Sequence, residues 1–276
     1  MLVIISISVS ILILVLLSHY SRQRSQSHQR NHQQIHSLRQ VLELCRQHRD
    51  LTHHAIATEH NESTTQTIDQ LKQQLTLESS KLIGLAHFDS KPQYRMLQRK
   101  LTGMCEGCQQ RSFARNQRIH GTAIRHCLFL IDDIALTWLL DSGREDLCDE
   151  YQLNWQQVLD SMEVLTQLRI CIPEVGQPSG EMRIKYNANK IRHKLLQLSL
   201  INSLPINSPL GNHLFDTLDM LLQADKITLN QNQLYYLTTD ISRLISQVYD
   251  QMLSDIMQSL YQPLADIPSA ESKKAT

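Results

Sequence analysis

Glycine, aromatic residues and net charge are all scarce in this chain of 276 residues. The eight glycines leave little room for phosphate-binding loops, and no GxSxG, HExxH or Gly-rich phosphate motif occurs. Aromatic residues make up only 5% of the chain, whereas leucine, isoleucine, glutamine and alanine are plentiful, which favours helices over sheets. The 27 basic residues equal the 27 acidic residues in number, and this balance argues against binding to nucleic acid. We therefore expect a helical protein that is not an enzyme and uses no cofactor.

The cysteines offer no disulfide framework, because they are scattered along a large chain. We interpret most of them as small buried side chains in a reducing compartment. The only close pair is Cys105-Glu-Gly-Cys108. A zinc site would need further ligands at suitable spacing, and a thioredoxin-like site would need a βαβ context. We favour an ordinary turn between helices with two thiols over a metal or redox site, and we predict no metal ligands.

The N-terminus carries the one long apolar run, from Met1 to Leu17, which is close to the lower limit for a membrane span. No basic residue precedes the run and no small-x-small cleavage site follows it, so we favour an uncleaved anchor over residues 1–20 rather than a secretory signal. Arginines appear only after the run, beginning with Arg22, which places the bulk of the chain in the cytoplasm and the N-terminus outside. The sequence thus predicts a single-pass protein of the inner or plasma membrane.

A polar tether over residues 21–34 follows the anchor, and apolar residues at helical spacing then recur to residue 261. The longest such stretch runs from Ile119 to Leu140 and predicts a central helix. We expect an all-α, antiparallel helical bundle over 35–261, built as one bundle or as two stacked bundles. The tail at 262–276 contains prolines and small polar residues, and we expect it to be disordered.

One residue breaks the apolar seam of the first predicted bundle helix. The seam runs in steps of three and four residues from Ile35 to Ile56, and Arg49 occupies one of its positions, next to His48. A charge placed there must find a partner when the helix packs. Pairing with a carboxylate of another helix, or extension out of the seam, is one interpretation. The other is a small-anion site, because the guanidinium fork matches two oxygens of a planar anion.

Four short motifs occur in a characteristic order along the chain. They are Arg46-Gln-His-Arg49-Asp-Leu-Thr, Ile119-His-Gly-Thr-Ala, Trp155 ahead of a Pro/Glu break, and Gly180-Glu-Met-Arg183. Together they resemble the nitrate- and nitrite-sensing domain family, over roughly residues 34–260. The resemblance implies an all-helical fold, described for the family as two stacked bundles, with arginines from several helices around the anion.

The resemblance carries two arginines over to the anion site, Arg49 and Arg183, and we add His48 as a candidate because it adjoins Arg49. Arg125 is a weaker candidate from its place at a helix edge. The chain departs from the family pattern at two points. The family has a Gln/Arg-Arg-Gly-like stretch where this chain has His48-Arg49-Asp50, so a second arginine is missing and an acid follows Arg49, and Glu181 stands where the family has glutamine.

Two functions remain open from the sequence. The first is a membrane-anchored helical sensor that binds a small oxyanion, nitrate or nitrite, between its helices. No output module follows the bundle, so the signal would pass to a separate protein partner or through a homodimer. The alternative is a membrane-tethered scaffold or interaction protein without a small ligand.

Overall fold

The computed structural model describes residues 2–57 and 62–260, except for the side chains at a few of these positions. Within these residues the chain is helical and contains no strand, so the predicted all-α fold is confirmed. The helices of the described residues are α1 (Leu2–Ala57), α2 (Glu62–Leu85), α3 (Lys91–Cys105), α4 (Phe113–Asp141), α5 (Cys148–Cys171), α6 (Pro178–Ile201), α7 (Ser203–Ile206), α8 (Pro209–Gln223) and α9 (Gln231–Ser259).

The first helix is by far the longest. α1 contains 56 residues, which corresponds to about 84 Å at 1.5 Å per residue. The predicted tether at 21–34 lies inside this helix. Among the described residues, no helix is both long and apolar enough to cross a membrane. The side chains of residues 1–9, which belong to the predicted anchor at 1–20, lie outside the described residues, as does the predicted disordered tail at 262–276.

The helices form two neighbouring bundles. α1, α2, α3 and α4 pack against one another as the first bundle, and α5, α6, α8 and α9 form the second. α4 packs on α5 where the bundles meet, and Arg39 of α1 is paired with Asp250 of α9 at 2.9 Å across the same boundary. One continuous apolar core runs through both bundles. The interface between the bundles therefore holds polar groups as well as apolar ones.

The predicted central helix from Ile119 to Leu140 is confirmed as part of α4, which extends further in both directions. Its buried side chains include Cys127, Ile131, Ala135 and Trp138, each at most 1% exposed. Their spacing of three and four residues places them on the face that contacts α1. Burying each large apolar side chain contributes about 1.5–3 kcal/mol, so this face alone is a major source of the stability of the first bundle.

The starts of α6 and α9 have different local causes. α6 begins at Pro178, after Gln177 in extended conformation. The start of α9 is fixed by Asn230, whose side chain accepts the N–H of Gln233 at 2.9 Å, while the Gln233 side chain accepts the N–H of Asn230. This reciprocal capping satisfies two helix donors at once.

Candidate functional site

Arg49 is buried in the seam of α1, with 3% of its surface exposed. Its Nε donates to Oδ1 of Asp50 at 3.2 Å. This bond uses only one corner of the guanidinium, and the two terminal nitrogens have no hydrogen-bond partner among the described residues. An arginine has five N–H donors in a planar fork. The edge of Arg49 that suits a planar anion is therefore available.

A small cleft opens beside Arg49 where the two bundles meet. Its volume is about 20 Å³, which exceeds the roughly 10–15 Å³ that a single water needs. The cleft thus has room for one or two waters or a small ion, and it is far too small for a cofactor. Its polar lining comes from α1, α4, α5 and α9: Arg49, Asp50, His53, Gln117, Arg169, Asn232, Thr238 and Thr239.

Arg169 of α5 is the second cation of the cleft, and it is 4% exposed. Its Nε donates to Oγ1 of Thr238 at 3.1 Å, and one Nη donates to the carbonyl oxygen of Thr238 at 2.8 Å. These two bonds use two of the five N–H groups, so three remain for a ligand. No carboxylate of the described residues forms an ion pair with Arg169. Burial, followed by the neighbouring Arg49 guanidinium, lowers the pKa of Arg169 well below its ordinary value.

Arg169 differs from the arginines of α1 in this region, because each of those is paired with a carboxylate. The arginines of α1 in this region each have a carboxylate at 2.9–3.6 Å: Arg39 pairs with Asp250, Arg46 with Glu43, and Arg49 with Asp50. Arginine stays protonated in proteins. The region therefore carries one positive charge more than its carboxylates balance, and that charge belongs to a buried side chain. A bound monovalent anion would neutralise it.

Gln117 adds a neutral polar group to the cleft from α4. The residue is 4% exposed, and its amide group can donate to a ligand in the cleft. The rings of Tyr235 and His53, whose centroids are 3.5 Å apart, also line the cleft.

His48, which we expected at the anion site, lies elsewhere. It is fully buried against His120 of α4, and His48 Nδ1 is 2.9 Å from His120 Nε2. Nδ1 of His120 donates to the carbonyl oxygen of Asn116 at 2.8 Å, so Nε2 of His120 accepts the proton of His48. Burial lowers the pKa of His48 to about 4 and that of His120 well below its ordinary value. Both rings are neutral at pH 7 and add no charge to the cleft.

Arg125 and Arg183 are not brought to Arg49. Arg125 is bound to Glu163 on the outer side of α4 and α5, and its side chain is one-third exposed. Arg183 is bound to Glu174, and 57% of its side chain is exposed. Neither lines the cleft. The structure thus places each of these two arginines beside a local carboxylate and does not bring them to the cleft.

The motif around Arg183 has a structural explanation instead. A Cβ added to Gly180 would lie 2.1 Å from the carbonyl oxygen of Glu174, so only glycine permits the turn before α6 to approach the helix this closely. Glu181 accepts the backbone N–H of Ile227 at 3.4 Å. These residues hold the turn and the segment before α9 in place, and they contact no part of the cleft.

The Cys105–Cys108 segment is the turn between α3 and α4, and both thiols are buried. Arg111 closes the turn by donating to the carbonyl oxygens of Met104 and Gly103 at 2.8 and 2.7 Å. Burial raises the pKa of Cys105 to about 11, which makes it a weak nucleophile. The described residues contain no group of three or more side chains placed to hold a metal ion.

Arg169 is the functional candidate that the sequence interpretation missed. It follows Leu165 and Leu168 on the buried face of α5, so it interrupts an apolar face in the same way as Arg49. The spacing that singled out Arg49 would have identified it.

Comparison with known proteins identifies no counterpart of this cleft. No family model matches the chain, and neither a curated protein nor a solved structure matches it. The geometry of the cleft and the short motifs of the sequence are therefore the basis for a function.

Proposed function

We propose that this protein is a helical sensory domain that binds a small oxyanion in the cleft between its two bundles. The observation that carries the proposal is the Arg169 guanidinium, which is buried, lacks an ion-pair partner among the described residues and has three N–H groups left over. Leaving a buried charge uncompensated costs several kcal/mol. A protein retains such a charge readily when a ligand supplies the counter-charge.

The shape of the donors favours a planar anion such as nitrate or nitrite. Arg49 offers a free edge of its guanidinium, and the fork geometry of arginine matches two oxygens of one anion. Gln117 adds a neutral donor from a third helix. The resemblance to the nitrate- and nitrite-sensing family supports the same ligand class, with Arg169 in place of Arg183 as the second cation.

The N-terminal apolar stretch serves in this proposal as a membrane anchor, with the bundles on the cytoplasmic side. Support comes from the apolar sequence of residues 1–17 and from the arginines that follow it. α1 runs without interruption from this stretch to Arg49, a distance of about 44 Å from residue 20. An anion that binds two packing states with different affinity would shift α1 relative to the second bundle. The signal then passes to a partner protein or within a homodimer.

Thermal unfolding of the purified full chain in detergent tests this proposal. Nitrate, nitrite, chloride, sulfate and phosphate are each added at 10 mM and pH 7.5. A ligand at 100 times its Kd stabilises the folded state by about 2.7 kcal/mol, which raises Tm by roughly 5–10 °C for a chain of this size. We expect such a rise with nitrate or nitrite.

Two variants make the thermal test specific. Arg169→Gln removes the buried charge and should abolish the rise in Tm that the anion causes. Arg183→Gln removes a charge of the same sign outside the cleft and should leave that rise unchanged. A wild-type Tm that no anion of the panel raises would refute the proposal.

A scaffold function is the second candidate, and exposed apolar side chains on α6 favour it. Met182 and Tyr186 form one pair and Leu196 and Leu200 a second; they are 44–88% exposed on one side of the helix, with the exposed Asn189 and His193 between the pairs. Such exposed apolar groups suit contact with another protein. Substituting Leu196 and Leu200 by serine would then abolish co-purification of a partner or a homodimer without altering any response to anions.

A further inference from the structure

Asp50 is the only carboxylate among the described residues that line the cleft. It follows Arg49 directly in α1 and lies at the rim, where 34% of its side chain is exposed, compared with 4% for Arg49. A carboxylate beside an anion site repels the ligand, so its presence in the lining needs an explanation.

The position of Asp50 leaves the binding edge of Arg49 open. The carboxylate accepts from Nε of Arg49 and holds the guanidinium from the side. It also acts at longer range on Arg169, whose positive charge it favours. At pH 7.5 two guanidinium groups and one carboxylate leave the cleft with one positive charge. Without Asp50 the same cleft would carry two.

We propose that Asp50 makes the cleft selective for singly charged oxyanions over doubly charged ones, an inference that rests on the proposed function. A monovalent anion such as nitrate brings the charge of the cleft to zero. Sulfate or hydrogen phosphate would leave an excess negative charge facing the Asp50 carboxylate, in a site too small to admit several screening waters. Asp50 thus acts on affinity through charge, while Arg49, Arg169 and Gln117 bind the anion.

Isothermal titration of the full chain in detergent with nitrate and with sulfate at pH 7.5 tests this inference. Asp50→Asn keeps an oxygen that accepts from Nε of Arg49 but removes the negative charge. We expect its Kd for sulfate to fall at least about tenfold, and the ratio of the sulfate Kd to the nitrate Kd to fall with it. If Asp50 only positioned Arg49, the Kd for sulfate would not fall in Asp50→Asn, because asparagine preserves the hydrogen bond to Arg49.

Glu43→Gln is the matched control. Glu43 pairs with Arg46 on the same helix, and its side chain is also 34% exposed, but it does not line the cleft. The substitution changes the net charge of the protein by the same amount as Asp50→Asn. We expect the ratio of the two Kd values to stay within about threefold of the wild type, because exposed charges away from the site are screened.

The outcomes separate this inference from the proposed function. If the wild type binds nitrate and Asp50→Asn leaves the ratio unchanged, or if both variants change it equally, the role of Asp50 is overturned while the anion site stands. The role of Asp50 is also overturned if the wild type binds sulfate as tightly as nitrate. If neither the wild type nor Asp50→Asn binds any anion, the anion site itself is refuted.

Discussion

Replacing Arg169 by methionine separates a ligand-binding arginine from a structural one. Methionine has a similar length and lacks charge, so the substitution removes the buried cation without a large cavity. The two hydrogen bonds to Thr238 are lost, at a cost of about 1.5–3 kcal/mol each for a charged donor. Relief of the desolvation penalty, several kcal/mol, and burial of the methionine side chain, about 1.5–3 kcal/mol, oppose this loss.

The two sides nearly cancel, so we expect the free energy of unfolding of ligand-free Arg169→Met to stay within about 2 kcal/mol of the wild type. Arg39→Met is the contrasting variant, because it removes the ion pair with Asp250 across the bundle boundary; it should cost about 1.5–3 kcal/mol, since the Asp250 side chain is 36% exposed and stays hydrated. Urea unfolding of the full chain, followed by the fluorescence of its two tryptophans, measures both. A loss above 3 kcal/mol in Arg169→Met, with the stabilisation by nitrate intact, would show that Arg169 is structural.

Two further predictions concern the groups that hold the bundles together. The folded state keeps His48 neutral, with a pKa of about 4, whereas the unfolded chain binds a proton near pH 6.5. The stability that this histidine contributes is therefore fully present above pH 6.5 and is lost as the pH falls towards 4. Urea unfolding at pH 5 should show about 2 kcal/mol less stability than at pH 7.5 from His48 alone, and His48→Gln should reduce the pH dependence without removing it, because His120 also has a lowered pKa. Gly180→Ala should lower the free energy of unfolding by about 3 kcal/mol through overpacking, because its Cβ would clash with a carbonyl oxygen. Gly121→Ala should raise it by about 0.5–1 kcal/mol, since the new methyl group meets Thr166 at an ordinary 3.6 Å. Equal effects of the two glycine substitutions would contradict the second prediction.

The helical fold could be predicted from the sequence because each helix has an apolar face of its own. The stretch from Ile119 to Leu140 shows the helical spacing without reference to any other segment, and it lies within α4. The same is true of the seam of α1, which identified Arg49 as a charge in a buried position. The four-residue α7 has too few residues to show any period, and the sequence interpretation missed it.

The partners of the cleft could not be predicted, because they are tertiary contacts between distant segments. Arg169 and Thr238 are 69 residues apart, and no local pattern indicates that they meet. Arg183 was selected because of its motif, yet its charge is satisfied by Glu174 nine positions earlier. A sequence motif can single out residues that have a role. Only the packing of the helices shows whether that role is a local contact or part of a binding site.

The charges where the bundles meet indicate why a bound anion would change the packing of the two bundles and not only fill the cleft. Arg39 and Asp250 already join α1 to α9, whereas Arg49 and Arg169 face one cleft from different bundles with like charge. Two cations so placed repel each other at short range in a medium of low polarity. An anion between them replaces that repulsion with two attractions, so it favours the arrangement in which the bundles are closest. Because α1 contributes Arg49 to this contact, the energy of binding acts directly on the helix that continues to the N-terminus.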